Sequence, residues 1–177
     1  LRGYRNTEVR VLPFAKLAGG IVHNKLLLVD GRLAYVGSQN FDWRALQHIH
    51  ELGLRIAEPR LVAQLQALFD WDWAAQETLA RGGQVAPLNR DRPLPQREQR
   101  AYLVGSPPAF LPSGIGDAET ELVRLISTAQ RRLQVQLLLY APLSHDERSF
   151  YAPIDNALRA AAARGVTIEL LVSNWNT

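Results

Sequence analysis

Cysteine and methionine are both absent from the 177-residue chain, and lysine occurs only at positions 16 and 25. Without cysteine there is no disulfide and no thiolate metal site, although a cysteine-free domain suits any compartment, so localisation stays open. Without methionine, Leu1 is not a translation start, and the chain is expected to be a piece of something longer. No apolar run approaches the roughly 18 residues that a membrane-crossing helix needs. Charge of one sign is scarce too. The net charge of +3 is too small for composition alone to argue for a polyanionic partner. Because the other basic residues are all arginine, Lys25 stands out as more than generic surface decoration.

What is present begins with "IVHNKLLLV", then "DG", then "RLAYVG", two apolar runs around a pair that tolerates positive φ. This pattern predicts a β-hairpin turning at Asp30-Gly31. "TEVRVLPF" at 7–14 alternates like a strand, "FDWRALQH" predicts a short helix opening near Asp42, and "ELGLRIAE" predicts another strand. Pro59 suits the first turn of a helix whose stripe is Leu61, Val62, Leu65, Leu68, Phe69 and Trp73, ending near Gln76. Residues 77–100 hold a glycine pair, three prolines and many charges, and predict a linker wrapping a surface.

A different rhythm follows. "AYLVGSPP" predicts a strand, and Asp117 can cap a helix that buries Leu122, Leu125, Ile126, Ala129 and Leu133. "QVQLLLYA", a helix around Ile154, Ala157, Leu158 and Ala161 closing at Gly165, and "VTIELLVSNW" complete a strand, helix, strand series. Apolar strands alternating with helices predict parallel sheet, so the fold class is α/β, a mixed sheet flanked by helices.

The polar residues of the hairpin carry the chemistry. His23 and Lys25 are two apart, so on a strand they leave one face about 7 Å apart. An imidazole beside an ammonium suits an anionic group lying across both. Ser38 and Asn40 follow the partner strand, where the chain leaves the sheet, and add two neutral hydrogen-bond groups. His48 and His50 beside Glu51 lack further ligands at a useful spacing, and are expected to be surface or packing residues with no metal bound. Asp42, Trp43 and Arg44 are expected to be a helix cap and a packing anchor, with Trp43 near enough to line a groove.

"HNKLLLVD" fits the HxKxxxxD motif, and "GSQNF" follows at the interval, of the phospholipase D superfamily, which the chain resembles. "GSQNFDWRAL…HELGL" resembles the subgroup of phospholipase-D-like 5′-exonucleases and their bacterial relatives. "SPPAFLPSGIGDAETELVRLI" and "FYAPIDNALRAAAARGVTIELLVSNW" are similar to the opening of that subgroup's second repeat. The resemblance implies metal-independent, cofactor-free chemistry at a phosphodiester, in phospholipid or in single-stranded nucleic acid. One histidine would attack phosphorus, and another, from the second repeat, would protonate the leaving oxygen. His23 would be one of that pair, in either role. Lys25 and Asn40 would hold the nonbridging oxygens with support from Ser38, and Glu51 would accept a hydrogen bond from the imidazole. Asp30, at the turn, is expected to be structural.

The chain departs from the family in one respect. His48, His50 and His145 have no lysine two residues on, so only one HKD element is present. Residues 1–76 are therefore expected to be the C-terminal part of a first repeat, and 101–177 the opening of a second without its motif. The missing half-site would come from further polypeptide or from a homodimer partner, and the chain alone is expected to be inactive. The two parts also resemble complementary halves of one repeat in permuted order, which predicts a shared sheet. A non-catalytic phosphate-binding or assembly module that keeps the fold is the alternative.

Overall fold

The computed structural model describes residues 3–143 and 149–174, so His145 lies outside the described residues. The chain forms two compact units, Leu1–Gly116 and Asp117–Thr177.

The first unit is organised by the hairpin. Strands β1 (Lys25–Val29) and β2 (Leu33–Gly37) pair antiparallel, and β3 (Gly53–Ile56) adds to the far side of β2. Asp30 at φ 53° and Gly31 at φ 63° both sit in the left-handed region, in a turn that the Arg32 N–H closes onto the Val29 carbonyl at 3.0 Å between the paired Val29 and Leu33. Between β2 and β3, helix α2 (Trp43–Gln47) starts where Asp42 accepts the N–H groups of Arg44 and Ala45 at 2.9 and 3.0 Å.

Helix α3 (Pro59–Ala80) opens on Pro59, with Glu58 as its N-cap. It continues past the expected end at Gln76, since nothing before Arg81 breaks it. Its Val62 and Leu65 pack on Ala34 and on the half-buried Leu26, Leu28, Val36 and Ile56. Because side chains alternate across a strand, the opposite face of the sheet carries Lys25, Leu27, Tyr35 and Arg55. Phe69, expected on the buried stripe, is 42% exposed.

Two other expectations give way. Residues 7–13 form no strand, because no neighbouring backbone pairs with them among the described residues; only a short helix, α1 (Ala15–Ala18), follows. "AYLVGSPP" yields only β4 (Val104–Gly105), which pairs with β5 (Gly116–Asp117) around a single 3₁₀ turn at Pro108–Phe110. Residues 81–103 carry no regular element and are pinned along the first unit. The Leu88 N–H reaches the Ala109 carbonyl at 2.7 Å, the Asn89 amide reaches two carbonyls, and Arg60 donates to Gln96 and Ala101.

The second unit is a parallel pair with two helices. β6 (Arg132–Leu137) and β7 (Thr167–Val172) pair in parallel, joined through α5 (Pro153–Ala163), and α4 (Ala118–Thr128) packs on α5. Asp117 caps α4 by accepting the Thr120 N–H at 3.0 Å. Ile126, Ala157, Leu158, Ala161 and Val166 form the core. Leu122 and Leu125 do not join it; both are about half exposed, and Glu121 is buried on α4 instead, its carboxylate on Arg124. Asp155 is buried against Arg159 and Tyr140, which hold its carboxyl below the usual aspartate range. The hairpin strands form a three-stranded sheet within the first unit, and β6–β7 a two-stranded parallel sheet within the second. An apolar strand is satisfied by whichever backbone pairs with it, and its sequence does not name the partner.

Candidate phosphate-binding site

The register brings three chain segments to one place. Lys25 opens β1 opposite Gly37, which ends β2, and Gly37 lies opposite Gly53, which opens β3. His23, Lys25, Ser38, Asn40 and Glu51 therefore all belong to the same end of the sheet. Asp30 sits at the turn, five residues of strand away.

His23 precedes β1 rather than lying within it, and its ring is exposed. The Lys25 ammonium donates to the His23 carbonyl at 2.7 Å, which holds the lead-in against the strand start. Ser38 extends the β2–β3 ladder by one residue: its N–H meets the Leu52 carbonyl at 3.0 Å, and its hydroxyl accepts the Leu52 N–H at 3.2 Å. This latch fixes the residue beside Glu51. Asn40 is exposed and Glu51 half-buried, and neither they nor the His23 imidazole hydrogen-bonds another described side chain. No Glu51–His23 hydrogen bond is formed in this state. His48 ends α2 and packs edge-on against Trp43, with ring centroids 5.0 Å apart.

In front of His23 a cavity of about 530 Å³ opens between the sheet end, α3 and the 103–115 segment. His23, Asn24, Gly37 and Ser38 contribute to its wall, while Lys25, Asn40 and Glu51 do not.

Sequence reasoning missed two residues here. Tyr35, on the Lys25 face, extends over Gly37 and Gly53, and its hydroxyl donates to Gln39 Oε1 at 2.5 Å. A Cβ at Gly53 would stand 2.0 Å from that hydroxyl. Gly53→Ala is thus expected to expel the Tyr35 ring and cost about 1–3 kcal/mol by urea denaturation. Adding Tyr35→Ala should recover part of that loss, and additive effects in the double mutant would refute the clash. The available signal was the facing glycine pair beside a large ring on one strand face.

Asp72 on α3 is the second. Its pKa is pushed up to about 6 by burial, and it borders the cavity that His23 lines. The helical period pointed to it, since Leu65 and Leu68 lead to position 72 on the same stripe, where an apolar residue was due.

Residues 2–73 match a family described as cardiolipin synthase, PLD-like domain. Over 186 residues, 97% of this chain, the sequence is 33% identical to the 5'-3' exonuclease PLD3 of Xenopus laevis, of which it covers 38%. The chain belongs to the phospholipase D superfamily. Further similarity within the superfamily is to the 5'-3' exonuclease PLD4 of Mus musculus, 34% identical over 95% of this chain and 36% of that protein. Phospholipase D Z of Dictyostelium discoideum is 33% identical over 96% of this chain and 44% of that protein. The chain thus spans about two fifths of the length of these relatives.

Proposed function

We propose that this chain supplies one of two half-sites of a metal-independent phosphodiesterase that acts on single-stranded nucleic-acid ends through a phosphohistidine. The observation that carries the reading is the convergence of His23, Lys25, Ser38, Asn40 and Glu51 on one sheet end, with His23 at the cavity. In this reading 1–76 closes a first repeat, and 101–177 opens a second whose motif lies in further polypeptide or in a homodimer partner.

One histidine nitrogen bonds to phosphorus while the ester oxygen leaves and takes a proton from the other histidine. Water then attacks the phosphohistidine, giving up a proton to that second histidine and freeing the first. His23 fills one of these roles. For Lys25 to bind nonbridging oxygens, its ammonium exchanges the His23 carbonyl for phosphate, a stronger acceptor because it is charged. Asn40 adds a neutral donor, and Glu51 fixes the imidazole tautomer when the two meet.

The exonuclease names of the PLD3 and PLD4 relatives and the aromatic cavity wall of Phe14, Trp71 and Phe110 favour nucleic acid. A phospholipid is the second reading. Exposed Phe41, Trp43, Leu46, Leu52 and Leu54 along the loop, α2 and β3 favour it, together with the phospholipase D Z relative.

The test uses a polypeptide with both half-sites, given a 5′-labelled single-stranded oligonucleotide or phosphatidylcholine vesicles, each in excess chelator. Nucleotide release without lipid cleavage, with an acid-labile phosphoenzyme trapped by alkaline quench, is the expected result. Loss of all turnover in chelator would overturn the metal-independent mechanism.

A further inference from the structure

Resting on that reading, we propose that the cavity in front of His23 is a nucleobase subsite, and that Asp72 is the group in it that recognises the edge of the base. The cavity of about 530 Å³ is mostly apolar, with Phe14, Trp71 and Phe110 among its walls. Trp71 and Phe110 lie 5.4 Å apart at 33°, and Phe14 meets Phe110 edge-on, so flat aromatic surface is already arranged there. A second cavity, of about 340 Å³, shares Val22, Asn24, Leu26 and Asp72 with the first. Asp72 therefore stands where the two spaces adjoin, in the cavity that His23 and Ser38 also line.

The carboxyl itself selects the ligand. Asp72 is half-buried and hydrogen-bonds no other described side chain, so its carboxyl is open to a ligand that enters the cavity. A base edge offers adjacent donors and acceptors, which a carboxyl complements. An acyl chain offers neither and would leave Asp72 unpaired. Burial raises its pKa to about 6, so below that pH the neutral acid can sit near a phosphate without charge repulsion.

The charged groups around Asp72 are few. Arg10 faces it from the segment before α1, already held by Glu8 at 2.7 Å and by the Trp73 carbonyl at 3.0 Å. His23 faces the shared space from the lead-in to β1, and Glu77 of α3 pairs with Arg10 at 3.5 Å. The 103–115 wall contributes no charge to the cavity.

The test is calorimetric titration of the 177-residue chain with three probes. These are 5′-phosphorylated tetrathymidylate, the same oligomer with an abasic 5′ residue, and micelle-free dihexanoylphosphatidylcholine. The base is expected to tighten binding about five- to tenfold over the abasic probe, the value of one or two hydrogen bonds. Asp72→Leu should erase that increment while leaving abasic binding unchanged. Asp72→Asn, which cannot titrate, should keep the increment and lose its variation between pH 5 and pH 7.

Equal binding of the two oligomers to the unmodified chain would overturn the subsite and leave the phosphate grip standing. Lipid binding that strengthens in Asp72→Leu would also overturn it, in favour of an acyl pocket. Abasic binding unaffected by His23→Ala would instead count against the proposed half-site.

Discussion

His23→Ala abolishes turnover of bis-p-nitrophenyl phosphate by a polypeptide that carries both half-sites, and chelator leaves the unmodified rate unchanged: that is the first expected result. Whichever role His23 takes, alanine removes the nitrogen that bonds to phosphorus or the one that carries the proton. General acid–base help alone accounts for roughly 10²–10⁴ in rate, and loss of a covalent path adds to it, so a fall of at least about 10³ is expected. The small synthetic diester has two good leaving groups and no base, so it reports the phosphate machinery without the aromatic cavity. His23 is exposed and supports no core packing, so the variant should melt as the unmodified protein does. Turnover within tenfold of the unmodified rate, with melting unchanged, would refute the role of His23.

Leu158→Ala is the second, and its effect is on stability. Leu158 is 7% exposed on α5, within the core made by Ile126, Ala157, Ala161 and Val166. Ala161, fully buried on the same helix, allows α4 and α5 to approach closely. That close packing limits how far the neighbours can collapse into a new void. Truncation of a buried leucine costs about 2–5 kcal/mol from lost transfer energy and residual cavity. Urea denaturation followed by circular dichroism should show that loss with little change in slope. A loss below about 1 kcal/mol would mean that the α4–α5 contact is loose enough to refill the space.

Much of the local structure was legible because it depends on neighbours in sequence. Asp30-Gly31 imposes a hairpin turn through backbone sterics, Asp42 and Asp117 cap through reach to N–H groups two or three residues on, and Pro59 starts α3 because its missing N–H costs nothing there. The candidate site residues were legible as a spacing, since His23, Lys25, Ser38 and Asn40 flank one predicted hairpin. The failures are of another kind. "TEVRVLPF" alternates like a strand and finds no strand partner among the described residues, while Leu122 and Leu125 have the helical period of a buried stripe and remain half exposed. Alternation and period state which face could be covered, and only a neighbour covers it.

By itself, then, the sequence determined the hairpin, its turn, the helix starts and the resemblance to the phospholipase D superfamily, because each rests on contacts a few residues long or on a motif of fixed spacing. Tertiary structure alone decided that the ends of β1, β2 and β3 meet, that the Ser38 hydroxyl is latched to Leu52, and that Tyr35 lies over two glycines. It also decided that Asp72, 49 positions after His23, borders the same cavity. These depend on strand register and on the packing of α3 against the sheet, where burial of apolar surface from distant segments sets which polar groups face one another.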